Sequence, residues 1–285
     1  MTTAESDGRR AVEGGLTGRP GEEEYRIDGV DQLAPFLMTI VSDSDLWMFV
    51  SSTGALTAGR VDADRALFPY ETDDRLHRAV GLAGPVTVIA RTLDAGRELW
   101  RPFGPTTTPG CRRSIIKRTL GNRIVFEERH PWGLTFRASW SPSDRYGWVR
   151  TVELSADGPP GGRDAGSTVE VEVLDGLVDV MPAGVDAVTE QTRSNLVDAY
   201  KRAETGPWGS LAVYALESLI TDRAEPLESL TAAAVWSTGF AHAEVLLDHD
   251  AVGDMIRGRP PSPTATVTGR PGAYLLRGPV SVART

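Results

Sequence analysis

The sequence FLMTIVSDSDLWMFVSSTGALTAGR, residues Phe36–Arg60, is the most informative part of the chain for its fold class. Two apolar runs rich in strand-favouring residues, Phe36–Val41 and Leu46–Val50, are separated by the polar segment Ser42–Asp45. The glycine of SSTGA then provides a turn before Leu56–Arg60, so the segment predicts consecutive strands. We therefore expect the chain to open as a β-sandwich.

Composition excludes several classes of partner. The chain has 285 residues and a formal net charge of −9, so its long-range field would repel phosphate groups. Nucleic acid and acidic membrane surfaces are therefore not expected as partners. The single cysteine, Cys111, cannot form an internal disulfide or a paired-cysteine metal site. No apolar run approaches the ~20 residues of a membrane-spanning helix, and we expect a cytoplasmic protein without metal or cofactor.

Short apolar stretches bounded by turn residues predict further strands beyond residue 60. They are Val86–Thr92, Glu98–Phe103, Arg112–Thr119, Arg123–Glu128, Leu134–Ser141, Tyr146–Ser155, Leu211–Ile220, Leu230–Trp236, Glu244–Leu247 and a weak strand at Ala273–Leu276. In Leu134–Trp140, and again at 169–173, apolar and polar side chains alternate, which predicts strands with one buried face. Four side chains are expected to pack between two facing sheets: Phe136, Trp140, Val171 and Val173.

Helices are predicted in only two places. In Asp186–Glu204 one stripe of side chains recurs every four residues, and a short helix is predicted at Ala251–Arg257. The stripe consists of Val188, Thr192, Leu196 and Tyr200. The charged, glycine-rich segment Met1–Glu24 is predicted to be disordered or to lie over the surface. Tyr25–Thr285 is predicted to form one domain, in which the Gly/Pro-rich segment 156–167 is a long hairpin loop or a hinge between two sheets.

Several segments resemble, in type and order, the N-terminal domain of cellobiose-phosphorylase-type proteins. They are LWMFVSSTGALTAGR, ELWRPF, GNRIVFEERH, GLTFRASWSP, RTVELS, VEVEVLDGLVDV and RSNLVDAYKRAE. The resemblance implies an all-β fold, a two-sheet antiparallel β-supersandwich of the galactose-mutarotase-like type, and a role in carbohydrate metabolism. In such proteins a linker and a helical catalytic barrel follow the sandwich. The barrel has no counterpart here, so we expect an isolated or truncated N-terminal domain.

The segment FPYETDDRLH, residues 68–77, combines an aromatic ring, acids, a guanidinium and a histidine. Carboxylates and planar rings suit the hydroxyl-rich surface of a sugar, so this segment is a candidate contact for an oligosaccharide or a helical catalytic domain. The candidate residues are Arg60, Tyr70, Asp73, Asp74, Arg75 and His77, together with Trp132 and Trp208 in Pro/Gly turns. The alternative is a solvated loop in which an aspartate caps a short helical turn. One histidine with neighbouring carboxylates supplies too few ligands for a metal site.

Glu127, Glu128 and His130 are candidates for an acid and a base that open a sugar ring. Neighbouring residues of a strand point to opposite faces, so only one of the two glutamates could face a given cleft. The alternative is a polar outer face beside a hairpin. No G-x-S-x-G elbow, phosphate loop or dinucleotide fingerprint is present. No residue is therefore assigned a catalytic role.

These features favour a non-catalytic, carbohydrate-associated β-sandwich domain of a glycan-processing protein, which shapes or docks against a catalytic barrel. A free-standing mutarotase-like epimerase and an interaction module without sugar binding remain open, as does a homodimer. The tryptophans inside strand patterns are expected to fill the core. They are Trp47, Trp100, Trp140, Trp148 and Trp236.

Overall fold

The computed structural model describes residues 12–19, 21–156, 167–206, 209–218 and 231–284, with only the backbone at Asp73. Mostly β structure in several antiparallel sheets is seen, so the predicted all-β class is confirmed. The strands are β1 (Glu13–Thr17), β2 (Glu24–Asp28), β3 (Leu37–Ile40), β4 (Leu46–Ser51), β5 (Leu56–Arg60), β6 (Gly84–Leu93), β7 (Gly96–Trp100), β8 (Arg112–Arg118), β9 (Ile124–His130), β10 (Leu134–Ser143), β11 (Gly147–Ala156), β12 (Thr168–Val180), β13 (Lys201–Thr205), β14 (Leu211–Leu216), β15 (Ala233–Trp236), β16 (Glu244–Asp248), β17 (Thr266–Thr268) and β18 (Gly272–Ala283). The helices are α1 (Asp73–Leu76), α2 (Ala187–Tyr200) and α3 (Asp250–Arg257). None of the helices in these ranges is both long and apolar enough to span a membrane.

Over the described ranges the strands form four sheets. The six-stranded sheet has the order β1-β2-β8-β9-β10-β11, and the five-stranded sheet has the order β16-β18-β12-β6-β7. A four-stranded sheet, β15-β14-β13-β17, and a three-stranded sheet, β3-β4-β5, complete the set. Neighbouring strands in the sequence mostly pair directly, as β8 with β9 and β10 with β11, which is typical of antiparallel hairpins.

The six-stranded and five-stranded sheets pack face to face. Phe136 on β10 is buried in the same apolar cluster as Val171 and Val173 on β12. Trp140 is buried in an adjoining cluster that also contains side chains of the three-stranded and four-stranded sheets. The two-residue period of β10 and β12 places these side chains on the inner faces. The predicted burial of all four side chains is confirmed, although Trp140 belongs to a different cluster from the other three.

A buried ion pair also joins these two sheets. Arg150 on β11 makes a bidentate contact with Asp175 on β12, with Nη1 2.7 Å from Oδ2 and Nη2 2.8 Å from Oδ1. Thr87 on β6 donates a hydrogen bond of 2.5 Å to Asp175 Oδ1. Two parallel N–H···O bonds restrict the relative position of the strands more tightly than apolar contacts do.

One inner strand of the five-stranded sheet, β18, is longer than the sequence pattern predicts. The weak strand predicted at Ala273–Leu276 is the N-terminal part of β18, which pairs along twelve residues with β12 and also pairs with β16. Close approach requires glycine at one point, because a Cβ at Gly176 would overlap the carbonyl oxygen of Tyr274. The length of β18 follows from its pairing with β12 and β16. Such distant pairing cannot be read from the local sequence pattern.

The predicted helix Asp186–Glu204 is too long at its C-terminal end. It ends at Tyr200, and Lys201–Thr205 forms β13, which pairs with β14 and β17. Lys201 is buried, with its Nζ 2.8 Å from Asp198 Oδ1. The other two carboxylates near this ammonium are Asp179 at 3.4 Å and Glu190 at 3.7 Å. We call Lys201, Asp179, Glu190 and Asp198 the Lys201 cluster.

The stripe predicted on this helix does not face the core. Val188 and Leu196 are 67% and 41% exposed, whereas Glu190 and Val197 are the buried residues of α2. The helix is held against the sheets by the ion pairs of the Lys201 cluster and by Val197, which packs with Met181. Because these contacts hold the side of α2 that carries Glu190 and Val197 against the sheets, Val188 and Leu196 face solvent.

Two connecting segments complete the comparison with the sequence. Residues 13–17, inside the predicted tail Met1–Glu24, form β1 at the edge of the six-stranded sheet, and all five are exposed. Residues 1–11 lie outside the described part. The Gly/Pro-rich segment predicted at 156–167 falls almost entirely outside the described residues, and the strands on either side of it, β11 and β12, belong to different sheets.

Candidate functional site

The outer face of the three-stranded sheet carries half-buried aromatic side chains. On β4, Trp47 and Phe49 point to this face, since Met48 between them is fully buried on the other. The ring of Trp47 lies 5.9 Å from that of Phe49 and 6.0 Å, edge to face, from that of Tyr70. Such arrangements are favourable for aromatic pairs. We call Trp47, Phe49 and Tyr70 the aromatic cluster.

The position of Trp47 depends on a glycine. Gly59 is the cross-strand partner of Trp47, and a Cβ at Gly59 would lie 2.6 Å from Cζ2 of the indole. The ring therefore lies directly over the backbone of β5. Its Nε1 donates a 3.0 Å hydrogen bond to the carbonyl of Asp62, which fixes its rotation. The indole is thus held in place by packing and by a hydrogen bond.

The loop that follows β5 is anchored at several points. Phe68 is buried in the core, and the amide of Leu67 donates to the carbonyl of Ala58 on β5 at 2.7 Å. From α2, the side chain of Gln191 donates to the carbonyl of Tyr70 at 3.2 Å. Tyr70 is therefore presented on a constrained backbone, which lowers the entropy that a ligand would have to restrict.

Three predicted contact residues lie in α1. Asp73 begins this helix, but its side chain lies outside the description. Asp74 accepts a 2.5 Å hydrogen bond from the Thr72 hydroxyl, and that bond lowers the pKa of the Asp74 carboxyl. Arg75 is exposed. The expected helical turn is present, although Thr72 and not an aspartate occupies its N-cap position.

His77 is tied to the turn between β4 and β5. Its Nδ1 lies 2.8 Å from the hydroxyl of Ser51, which also accepts a 3.1 Å hydrogen bond from the amide of Thr53. Ser51 is completely buried, so a substrate cannot reach its oxygen. A nucleophile needs both a base and access to the reacting carbon, and this pair is a structural contact.

The other predicted residues are not part of the aromatic cluster. Arg60 forms a 2.6 Å ion pair with Asp45 at the end of the three-stranded sheet. Trp132 lies between β9 and β10, where the guanidinium of Arg91 sits 4.5 Å from its ring centroid. That cation covers the ring of Trp132, which is less available for stacking than its turn sequence predicts. Trp208 lies outside the described residues.

The two adjacent glutamates of β9 point to opposite faces, as expected, but both are buried. Glu127 lies 2.7 Å from Arg26, 3.3 Å from Arg129 and 3.6 Å from Arg137. Burial alone would raise the pKa of Glu127, but the Arg26 hydrogen bond and these three cations lower it. The expected polar outer face is therefore a buried ionic network, in which guanidinium groups compensate desolvation.

Glu128 is fully buried and accepts three hydrogen bonds. Its Oε1 accepts from Trp100 Nε1 at 2.7 Å, and its Oε2 accepts from the Phe103 amide at 2.8 Å and from Arg113 Nε at 2.7 Å. We call Glu128, Trp100, Phe103 and Arg113 the Glu128 hub. Because Trp100 belongs to the five-stranded sheet and Glu128 to the six-stranded one, the hub is a second polar tie between these sheets.

His130 is packed between two indoles and is not paired with either glutamate as an acid and a base. Its ring centroid lies 4.8 Å from that of Trp100 and 4.2 Å from that of Trp132. The Trp132 amide donates to His130 Nδ1 at 3.1 Å. Burial lowers the pKa of His130 to about 4, so the imidazole is neutral at pH 7. These groups do not flank an open cleft.

A cavity of about 30 Å³ lies between the two large sheets. Its lining includes Thr87, Phe103, Phe126, Phe136, Trp140 and Arg150. Small-molecule sites usually enclose roughly 300–1,000 Å³, whereas this volume suits about one or two water molecules. A sugar could not enter this cavity without moving the core, so the cavity is not a candidate sugar site.

The aromatic cluster was only partly predictable. The strand pattern predicts Trp47 in the core, whereas the structure places it half-buried on the outer face beside Tyr70. The sequence does contain one sign of this cluster, since both faces of the strand LWMFV are apolar. One face packs on the core, and the other must either be covered by a further segment or remain as an apolar surface patch. Among the described residues, no three or more His, Cys, Asp or Glu side chains are placed to hold a metal ion.

No family model matches the sequence, and no curated protein matches it either.

Proposed function

We propose that this chain is a non-catalytic, carbohydrate-associated β-sandwich domain of a glycan-processing protein, with a supersandwich arrangement of its two large sheets. The aromatic cluster would contact sugar rings. The observation that best supports this proposal is that Trp47 and Phe49 on β4, with Tyr70 from the loop after β5, form a half-buried aromatic surface on the outer face of the three-stranded sheet.

The chemistry of the cluster suits a pyranose. A sugar ring has an apolar C–H face and a hydroxyl edge, and aromatic side chains with polar tips can contact both. Asp62, whose backbone carbonyl accepts the hydrogen bond of the Trp47 indole, forms a 2.9 Å ion pair with Arg65. This pair supplies donors and acceptors for hydroxyl groups at the edge of the apolar surface.

The proposed lack of catalysis is supported by the ion pairs and hydrogen bonds that the buried glutamates already make. Glycoside cleavage uses two carboxyl groups at a defined separation across the bond. Glu127 is enclosed by three guanidinium groups and Glu128 by three donors, so neither is placed to contact a substrate. The buried imidazole of His130 does not support the mutarotase-like alternative.

A second candidate function is docking against a helical catalytic domain. Val188 and Leu196 on α2 favour it, because they expose an apolar stripe next to the loop that carries Tyr70. Exposed apolar surface of this kind is typical of an interaction site. The partner and a cytoplasmic location stay predictions.

Titration of the 15N-labelled chain with cellohexaose and with maltohexaose tests the sugar proposal. Tyr70→Ala should weaken binding about fivefold or more, since one ring of the contact surface is lost. The matched control is Tyr25→Ala, a half-exposed tyrosine on β2 in a different sheet, which should bind as wild type. Shifts that avoid β4 and Tyr70, with unchanged affinity of Tyr70→Ala, would reject the aromatic cluster as the contact.

A further inference from the structure

A second pair of aromatic rings is more exposed than the aromatic cluster. Tyr146 lies in the turn between β10 and β11, and Trp236 ends the edge strand β15. Their ring centroids are 5.4 Å apart and their planes meet at 71°. Tyr146 is 51% exposed and Trp236 is 49% exposed. Trp236 is the only exposed tryptophan among those that the structure describes, although its strand pattern predicts it in the core.

The backbone beside Trp236 is fixed to the core. The next residue, Ser237, has its hydroxyl 2.7 Å from that of Tyr274, and Tyr274 is buried on β18. The Tyr274 hydroxyl donates a 2.5 Å hydrogen bond to the carbonyl of Ser210, which precedes the neighbouring strand. The indole is therefore presented by a rigid edge and not by a mobile loop.

The turn that carries Tyr146 is also tightly constrained. The backbone amide of Tyr146 donates a 3.2 Å hydrogen bond to the hydroxyl of Ser143, and this bond restricts the conformation of the turn. Gly147 follows with φ of +73°, a conformation that glycine adopts without strain. Two large rings on fixed backbones lose little conformational entropy when a ligand binds them.

Polar groups stand beside these rings. The guanidinium of Arg145 lies 5.3 Å from the centroid of the Tyr146 ring, and Asp144 in the same turn is exposed. The edge-to-face rings form a corner in which the indole is the open apolar wall and the Tyr146 ring carries the guanidinium of Arg145, with Asp144 in the same turn. Ring, guanidinium and carboxylate are the combination by which FPYETDDRLH suggests a sugar contact, and SDRYG at 143–147 repeats it.

We propose that Tyr146 and Trp236, with Arg145 and Asp144, form a binding site for a pyranose ring of a neutral oligosaccharide. The C–H face of the sugar packs on the indole, while hydroxyl groups bond to the guanidinium and the carboxylate. A neutral ligand fits because the turn contributes one charge of each sign and the chain carries a net charge of −9. The ligand class rests on the proposed function, but the site is separate from the aromatic cluster.

Isothermal titration with cellohexaose and maltohexaose tests this inference, and two sites per chain are expected for the wild type. Trp236→Ala should reduce the stoichiometry to one, with at least a tenfold loss of affinity at the lost site, and Tyr146→Ala should act in the same direction. Tyr70→Ala should weaken the other site about fivefold or more and leave the affinity of this one unchanged. Tyr25→Ala is the control for a half-exposed ring elsewhere.

Protection from iodide quenching provides a second readout. In the wild type, bound oligosaccharide should shield the exposed indole of Trp236 from iodide. This part of the shielding should be absent in Trp236→Phe, whereas shielding of Trp47 at the aromatic cluster should remain. This milder variant, and Tyr146→Ala in a turn, keep the test decisive if Trp236→Ala does not fold.

The outcomes separate the two proposals. Loss of a site in Trp236→Ala with normal binding at the aromatic cluster supports the inference. Wild-type stoichiometry in both Trp236→Phe and Tyr146→Ala overturns it, even if Tyr70→Ala confirms the aromatic cluster. Absence of binding by the wild type overturns both. A chain that binds no sugar and whose self-association is lost in Trp236→Ala uses this pair as a protein interface, which also overturns the inference.

Discussion

The Glu128 hub and the Lys201 cluster both bury ionised side chains, but they differ in how well those charges are balanced. In the hub, one carboxylate faces one guanidinium, and both of its oxygens accept hydrogen bonds. In the cluster, three carboxylates surround one ammonium, and Glu190 Oε2 is buried without a hydrogen-bond partner in the described structure. A fully satisfied network stabilises a core, whereas a partly satisfied one costs free energy.

The pKa directions follow from this difference. Burial raises the pKa of Asp179 and that of Glu190, although Lys201 acts in the opposite direction on both. Burial would lower the pKa of Lys201, but the three carboxylates overcome this effect and raise it. The raised pKa values therefore favour proton uptake by Asp179 and Glu190. The Glu128 hub joins the two large sheets. The Lys201 cluster holds α2 in place, and we expect the strength of this attachment to depend on pH.

The largest expected effect is that of Glu128→Gln. This change leaves the Arg113 guanidinium buried without its counterion and turns an amide NH2 towards groups that donate. We expect the free energy of unfolding to fall by roughly 3–5 kcal/mol, as when one partner of a buried pair is removed. Urea denaturation at pH 7 measures it.

The matched control for Glu128→Gln is Glu98→Gln, in a more exposed pair with Arg91. Its cost should stay below about 1 kcal/mol. Similar losses in the two variants would show that the hub is no more important than a surface pair.

A smaller effect is expected from His130, which packs on the Trp100 ring of the hub. The folded pKa of about 4 lies below the ordinary value of 6.5, so the unfolded chain takes up a proton first as the pH falls. The neutral imidazole contributes stability above pH 6.5, and this contribution is lost on going down to about pH 4. It amounts to roughly 1–3 kcal/mol.

Urea denaturation at several pH values between 4 and 7 provides the measurement. His130→Gln should flatten the profile over this range, whereas His242→Gln, at an exposed position, should retain it. Equal pH profiles for wild type and His130→Gln would show that the imidazole titrates normally.

The smallest effect, of opposite sign, is expected for Glu190→Gln in the Lys201 cluster. Because the folded pKa of Glu190 is raised, its ionisation opposes folding, and stability is lost as the pH rises through that pKa. An uncharged amide should leave stability unchanged or raise it by up to about 1 kcal/mol at pH 7. It should also reduce the pH dependence.

Glu153→Gln on the exposed face of β11 is the control, with no expected change. A loss of more than about 2 kcal/mol in Glu190→Gln would mean that Lys201 requires this carboxylate. The contrast between a satisfied hub and an over-supplied cluster would then be wrong.

Much of the strand architecture was predictable from local pattern. Leu134–Trp140 alternates with a period of two, and β10 is found there with Phe136 and Trp140 on its buried face. The helix at Ala251–Arg257 is likewise present as α3. Prediction failed where pairing was distant, as at Lys201–Thr205, because the edges of β14 and β17 turn that segment into a strand.

The candidate sites were less accessible to sequence reasoning. Tyr70 stands out as a ring among charges, but its contact with Trp47 depends on a loop that folds back over β4. Tyr146 has the same kind of neighbours in the sequence, yet Trp236, which makes the site, is contributed by an edge strand of another sheet.

By itself, the sequence determined the all-β class, most strands and the buried faces of β10 and β12, because backbone alternation and turn residues act over a few positions. Only the tertiary structure decided that Glu128 meets Trp100, that Lys201 gathers three carboxylates and that Trp236 stays exposed beside Tyr146. Burial and hydrogen bonding of a side chain depend on which distant strands pack around it, and no local period reports that packing.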